Sequence, residues 1–169
     1  MKKIITTFLM ILFLASCGSN HYKLNEDNFF LIMTNMLYYP EQYEGSTIEY
    51  DAFMYDIYDT EDNLYHCSVR KCSSGYGCNC GKDTVIGFIL NYDNELPKAY
   101  NQSEDSVEKT WVHVKGKLHS YEFNTIEIYA YKDNEIDYTT KESIKFLTFD
   151  VEEISLISDY SNLKYYVTK

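Results

Sequence analysis

The chain has 169 residues, 26 of them acidic and 15 basic, for a net charge of −11. Such an acidic balance disfavours nucleic acid and anionic lipid headgroups as partners, because both are held by Lys and Arg. Aromatic residues make up 17%, with 18 Tyr and one Trp, while two Pro and seven Gly are too few for a disordered stalk. Tyr suits half-buried strands, its ring packed and its hydroxyl wet, so a β-rich domain is expected.

Lys2 and Lys3 precede an apolar run, Ile4 to Leu14, broken only by Thr6 and Thr7. A spanning helix needs about twenty apolar residues, so this shorter run reads as a secretory signal. It closes on Leu14-Ala15-Ser16-Cys17, two small residues and then a thiol, which resembles the lipobox of bacterial lipoproteins. The resemblance implies cleavage after residue 16, lipidation of Cys17 by acyl chains such as palmitate, and a cell-envelope location. Removing 16 of 169 residues leaves 153, one domain of ordinary size. Thirteen basic residues then face 26 acidic ones, a charge of −13. The membrane link would be the acyl anchor, not a basic surface.

Residues 17–24 read as a tether. Asn25 is a candidate helix N-cap, followed by Glu26 and Asp27 where acids complement the helix dipole. Phe29, Phe30, Ile32, Met33, Met36 and Leu37 recur at helical spacing and predict one apolar helix face. Tyr39-Pro40 should end that helix.

After Gly45 the period becomes two. A strand is predicted over 46–57, with Ile48, Tyr50, Ala52 and Met54 on one face, and a second over 64–72 with Tyr65, Cys67 and Val69 together. Val85 to Tyr92 is apolar enough for partial burial on both faces. The stretch 91–106 is expected to be a long loop. Trp111, Val112 and Val114 lead to Gly116, a candidate bulge. A hairpin is expected through Glu122–Asn124, then a return along Ile126, Ile128 and Ala130, and a polar loop over 133–143. The closing strand, 146–157, carries a parity shift at Glu152-Glu153, and 158–169 reads as a tail. One helix and five or six strands predict a mainly β domain over 25–157, a small OB-like antiparallel barrel, with a β-sandwich as the alternative.

Three motifs occur in order: Tyr39-Pro40-Glu41-Gln42-Tyr43-Glu44-Gly45, Gly87-Phe88-Ile89-Leu90-Asn91-Tyr92-Asp93, and Trp111-Val112-His113-Val114-Lys115-Gly116-Lys117. Over residues 29–157 the chain resembles the soluble C-terminal domain of the YcgQ-type family, bacterial membrane proteins encoded beside a permease. That resemblance implies an OB-like fold and a cysteine pair before the Gly-led strand. Here the pair is split as Cys78-Asn79-Cys80, and a lipid anchor replaces the membrane helices. The helix and first strand also resemble the tRNA-anticodon-like OB lipoproteins.

Besides Cys17, the cysteines are Cys67, Cys72, Cys78 and Cys80, all within fourteen residues. Two disulfides fit an exported chain. Four thiolates, or three with His66, could instead hold a soft metal such as zinc, although the usual C-x2-C spacing is missing. Cys78 and Cys80 as an exchanging dithiol is a third reading, with Arg70, Lys71 and Lys82 as nearby positive charge. His113 is expected to face solvent, and His21 and His119 have no partner visible in the sequence. Asp56, Asp59, Glu61, Asp62 and Asn63 lack the spacing of a calcium loop and read as an acidic turn. No catalytic constellation emerges. The function expected is a non-catalytic binding or accessory role beside an envelope protein, against a thiol oxidoreductase or a disulfide-stapled scaffold.

Overall fold

The computed structural model describes residues 20–72, 85–102, 106–132 and 135–167. Among these residues the fold is mainly β, with one α-helix and a single seven-stranded sheet. The strands are β1 (His21–Lys23), β2 (Thr47–Tyr58), β3 (Leu64–Cys72), β4 (Val85–Asn91), β5 (Trp111–Lys132), β6 (Glu135–Leu156) and β7 (Tyr166–Val167). Among the described residues no helix is long and apolar enough to cross a membrane.

The helix, α1 (Phe29–Tyr38), is entered through a turn closed by two asparagines. Asn25 Oδ1 accepts the Asn28 N–H at 3.2 Å, and Asn28 Oδ1 accepts the Asn25 N–H at 2.7 Å. Asn28, three residues after the candidate Asn25, holds the N-cap position without a side-chain cap bond, and Asn25 with Glu26 and Asp27 forms the turn that leads into the helix. Phe29, Met33 and Met36 are buried, with Phe30, Ile32 and Leu37 packed beside them, as the periodicity predicts. Tyr39 ends the helix, and Pro40 opens a 3₁₀ turn, Pro40–Tyr43.

The sheet order is β1-β2-β5-β6-β4-β3-β7, with a further pairing of β2 to β3. That extra pairing lets five strands return on themselves in a partial ring. It is possible because β2 divides its neighbours: Ile48–Phe53 pairs with β5, and Phe53–Tyr58 pairs with β3. The expected antiparallel arrangement holds for four pairings, while β1–β2, β3–β7 and β4–β6 are parallel.

Stretches of β2, β3 and β4 carry buried side chains on both faces. Ile48, Tyr50, Ala52 and Met54 join Phe88, Phe149, Val112 and Val114 under α1 in the main core. Phe53, Ile57, Cys67, Val69 and Ile89 form a second core with Trp111, Ile126, Phe146 and Tyr165. The two-sided burial expected for β4 is therefore present, and it extends to β2 and β3.

Gly116 and Glu152 form one irregularity. Lys115 faces Glu153 and Gly116 faces Val151, leaving Glu152 as the extra residue. A Cβ at Gly116 would stand 2.1 Å from the Asp150 carbonyl oxygen, so the close approach of β6 requires glycine there.

Four expectations need correction. The hairpin through Glu122–Asn124 does not exist, because β5 continues to Lys132: Phe123 and Asn124 pair with Leu147 and Phe146, and residues 119–122 form a bulge between Leu118 and Phe123. Most of the loop expected over 133–143 is strand β6, pairing with Glu127–Lys132. Both segments are rich in polar, exposed residues, which hides their strand character, yet the backbone groups of β6 over 135–143 find their partners on β5 over 127–132. Residues 21–24 are not tether: β1 pairs with β2, and Leu24 is buried. The stretch 158–167 is not a tail either, since Tyr165 and Val167 are buried and β7 pairs with β3.

Candidate functional site

The cysteine-bearing strand β3 was the sharpest chemical signal in the sequence, and its alternation decides where each thiol goes. Cys67 and Cys72 are five residues apart, so they project to opposite faces. Cys67 is fully buried in the second core and Cys72 in the main core, both as free thiols. Burial pushes the Cys67 thiol up to about 12, with the Asp56 carboxylate adding to the rise. Burial alone pushes Cys72 up to about 11. Protonated thiols in apolar surroundings behave as small core residues, neither nucleophiles nor ready metal ligands.

This pair does not fit a shared zinc site. Cys17, Cys78 and Cys80 lie outside the described residues. His66, the alternative ligand, pairs with Asp56, its Nδ1 2.7 Å from Oδ1 on the neighbouring strand. Among the described residues no group of three His, Cys, Asp or Glu side chains is arranged to hold a metal ion.

Arg70, between the two cysteines, is fully buried, whereas the sequence suggests only a nearby positive charge. Its guanidinium lies 4.9 Å from the centre of the Trp111 ring and 5.4 Å from that of Phe29. Nη2 sits 2.9 Å from both carboxylate oxygens of Glu26 and donates to the Lys164 carbonyl, while Nη1 donates to the Asp51 carbonyl at 3.3 Å. Nε has no hydrogen-bond partner among the described residues. Burial lowers the Arg70 pKa, and Glu26 opposes that shift. One side chain thus joins the lead-in to α1, strand β2 and the C-terminal segment. Nearby, Tyr50 OH and Ser68 Oγ share a buried 2.6 Å hydrogen bond, and burial raises the Tyr50 pKa.

All four histidines stand beside a carboxylate, a pattern that cross-strand register creates and the sequence does not display. His113 Nδ1 is 2.6 Å from Asp51, and its Nε2 is 3.4 Å from Glu49. Glu49 also meets His21 at 3.2 Å and Lys23 at 2.6 Å. The Lys23 ammonium is the largest cause lowering the Glu49 pKa. His113 is on the outward face as expected, but it is half-buried in this ladder of charges. His119 Nδ1 meets Asp150 at 2.9 and 3.0 Å, and Asn91 donates to the same carboxylate at 2.6 Å. His119 borders a small cleft lined by Pro40, Glu44, Leu118, Ser120 and Tyr121.

The acidic stretch after β2 is a turn organised by the Asp59 carboxylate and tied to β5 by the Thr60 N–H, donated to the Glu127 carbonyl at 2.9 Å. The Asp59 carboxylate accepts the N–H groups of Glu61 and Asn63 at 2.8 and 2.9 Å and the Asn63 side-chain amide at 2.8 Å. These bonds, that of the Asn63 side chain foremost, lower its pKa.

A mainly β domain, packed on both sheet faces and carrying inert buried thiols, is the class that fold and side chains define. The family model of the DUF1980 C-terminal domain matches residues 14–138, and the chain belongs to that family. No curated protein and no solved structure matches it.

Proposed function

We propose that this chain is an acyl-anchored lipoprotein of the bacterial envelope whose domain serves a binding or accessory role beside a membrane partner. The reading is carried by the placement of Leu14-Ala15-Ser16-Cys17 immediately ahead of a packed domain. The Asn20 carbonyl, three residues after Cys17, already accepts the Thr47 N–H at 2.9 Å. Lipidation at Cys17 would therefore hold the domain close to the bilayer. The finer kinship to YcgQ-type proteins, membrane proteins encoded beside a permease, supports the same reading. The partial ring of strands, with β4 and β6 parallel, supports an OB-like barrel.

The rival reading, thiol exchange, rests on Cys78 and Cys80, because burial suppresses the thiolates of Cys67 and Cys72. A soft-metal site using all four cysteines would need Cys67 and Cys72 to leave opposite cores. Labelled palmitate and membrane fractionation of wild type and Cys17→Ser test the anchor. Incorporation and membrane retention that depend on Cys17 support it, and a Cys17→Ser chain that still labels and sediments with membranes contradicts it. Fast alkylation of one thiol in the folded protein would favour the oxidoreductase instead.

A further inference from the structure

The end of the domain at which the chain leaves towards Cys17 has a distinctive surface. Asn20 is bonded to Thr47, and the turn just before it runs from Tyr43 to Ser46, whose N–H is donated to the Tyr43 carbonyl at 3.1 Å. Tyr22, two residues after Asn20, packs against Tyr43 with ring centres 5.0 Å apart. Pro40 and Glu44 line one cleft with Leu118, His119, Ser120 and Tyr121, so the bulge of β5 belongs to the same end. Here the protein exposes Tyr38 (72%), Tyr39 (54%) and Tyr121 (51%).

We propose that this tyrosine-bearing end, Tyr38, Tyr39 and Tyr121, rests on the zwitterionic headgroup region of the bilayer that holds the Cys17 acyl chains. The inference rests on the lipoprotein reading and adds an orientation to it. Three residues of fully extended chain span at most about 11 Å, so a lipid on Cys17 keeps Asn20 and its surroundings against the membrane surface. Tyrosine suits that position, with its ring among the upper acyl chains and its hydroxyl in water. Glu41, Glu44 and Glu122 stand among these residues in the sequence and favour zwitterionic over anionic lipid.

The test is hydrogen exchange on the acylated chain 17–169 in phosphatidylcholine vesicles, compared with the unacylated Cys17→Ser chain of the same length in solution. Amides in 38–45 and 119–122 should exchange about tenfold more slowly on vesicles, and those in the 59–63 turn equally in both. Tyr38→Ser/Tyr39→Ser/Tyr121→Ser should remain acylated, vesicle-bound and folded by near-ultraviolet circular dichroism, yet lose the protection. An acylated, vesicle-bound wild type without protection overturns the orientation and leaves the anchor intact. Concentration-dependent protection in the Cys17→Ser chain also overturns it, because a second copy would then be the occupant. Mass spectrometry showing no acyl group on Cys17 overturns both readings.

Discussion

Glu26 and Arg70 are 44 positions apart, yet their pair should govern whether the lead-in to α1 and the segment at Lys164 stay packed. Removing the carboxylate by Glu26→Ala leaves a guanidinium that is 1% exposed without its counter-charge. Breaking a buried pair from one side costs about 3–5 kcal/mol. The Glu26 side chain is 23% exposed, and Arg70 keeps two carbonyl acceptors and two aromatic faces. Those remaining contacts place the expected loss at about 2–3 kcal/mol. Arg70→Met removes the charge and retains an unbranched apolar chain between Phe29 and Trp111. Glu26 can then turn to water, and the cost should be nearer 1 kcal/mol. The double variant should be close to Arg70→Met, giving a coupling of about 2 kcal/mol. Urea unfolding of the four proteins, followed by near-ultraviolet circular dichroism, measures all three values. A Glu26→Ala protein within about 0.5 kcal/mol of wild type, or costs that simply add, would refute the assignment of Arg70 as a paired tie.

Four further outcomes follow from the packing. Gly116→Ala should destabilise by about 4 kcal/mol or more in the same unfolding assay, since its Cβ would meet the Asp150 carbonyl oxygen at 2.1 Å and Phe149 Cε1 at 2.8 Å. Tyr50→Phe should cost about 1–3 kcal/mol by leaving the buried Ser68 hydroxyl without its partner, and a neutral result would place water there. Asp59 has a folded pKa below its ordinary value, so its contribution is present above the unfolded pKa, near 4, and is lost as pH falls through the folded pKa. Urea midpoints from pH 6 to pH 2 should therefore fall less in Asp59→Asn than in wild type. At pH 8 the thiolate of Cys72, with a pKa of about 11, should be over about a hundredfold scarcer than that of a free cysteine. Iodoacetamide mapped by peptide mass should thus modify Cys67 and Cys72 only after unfolding.

Periodicity located the core well because one buried face imposes it. The Met33/Met36 stripe, the Ile48–Met54 alternation and the parity shift at Glu152-Glu153 all mark places where side chains must choose a face. The errors fell where that pressure is weak. The bulge His119–Glu122 and the strand segment Glu135–Ser143 bury no regular face, so the continuation of β5 and β6 through them is visible only in the register of the two strands. Residues 21–24 and 165–167 join the sheet through short parallel pairings that depend on distant partners. Alternation alone places Cys67 and Cys72 on opposite faces of a strand, but closeness in sequence had suggested one site. Burial of Arg70 among Glu26, Phe29 and Trp111, like the carboxylate beside each histidine, arises from cross-strand geometry that no local pattern encodes.

Intact mass spectrometry of the protein extracted from membranes tests the central claim most directly. A chain beginning at Cys17, its mass raised by acyl groups on that residue, is the predicted result. A chain that retains residues 1–16, or one with an unmodified Cys17, would contradict the account.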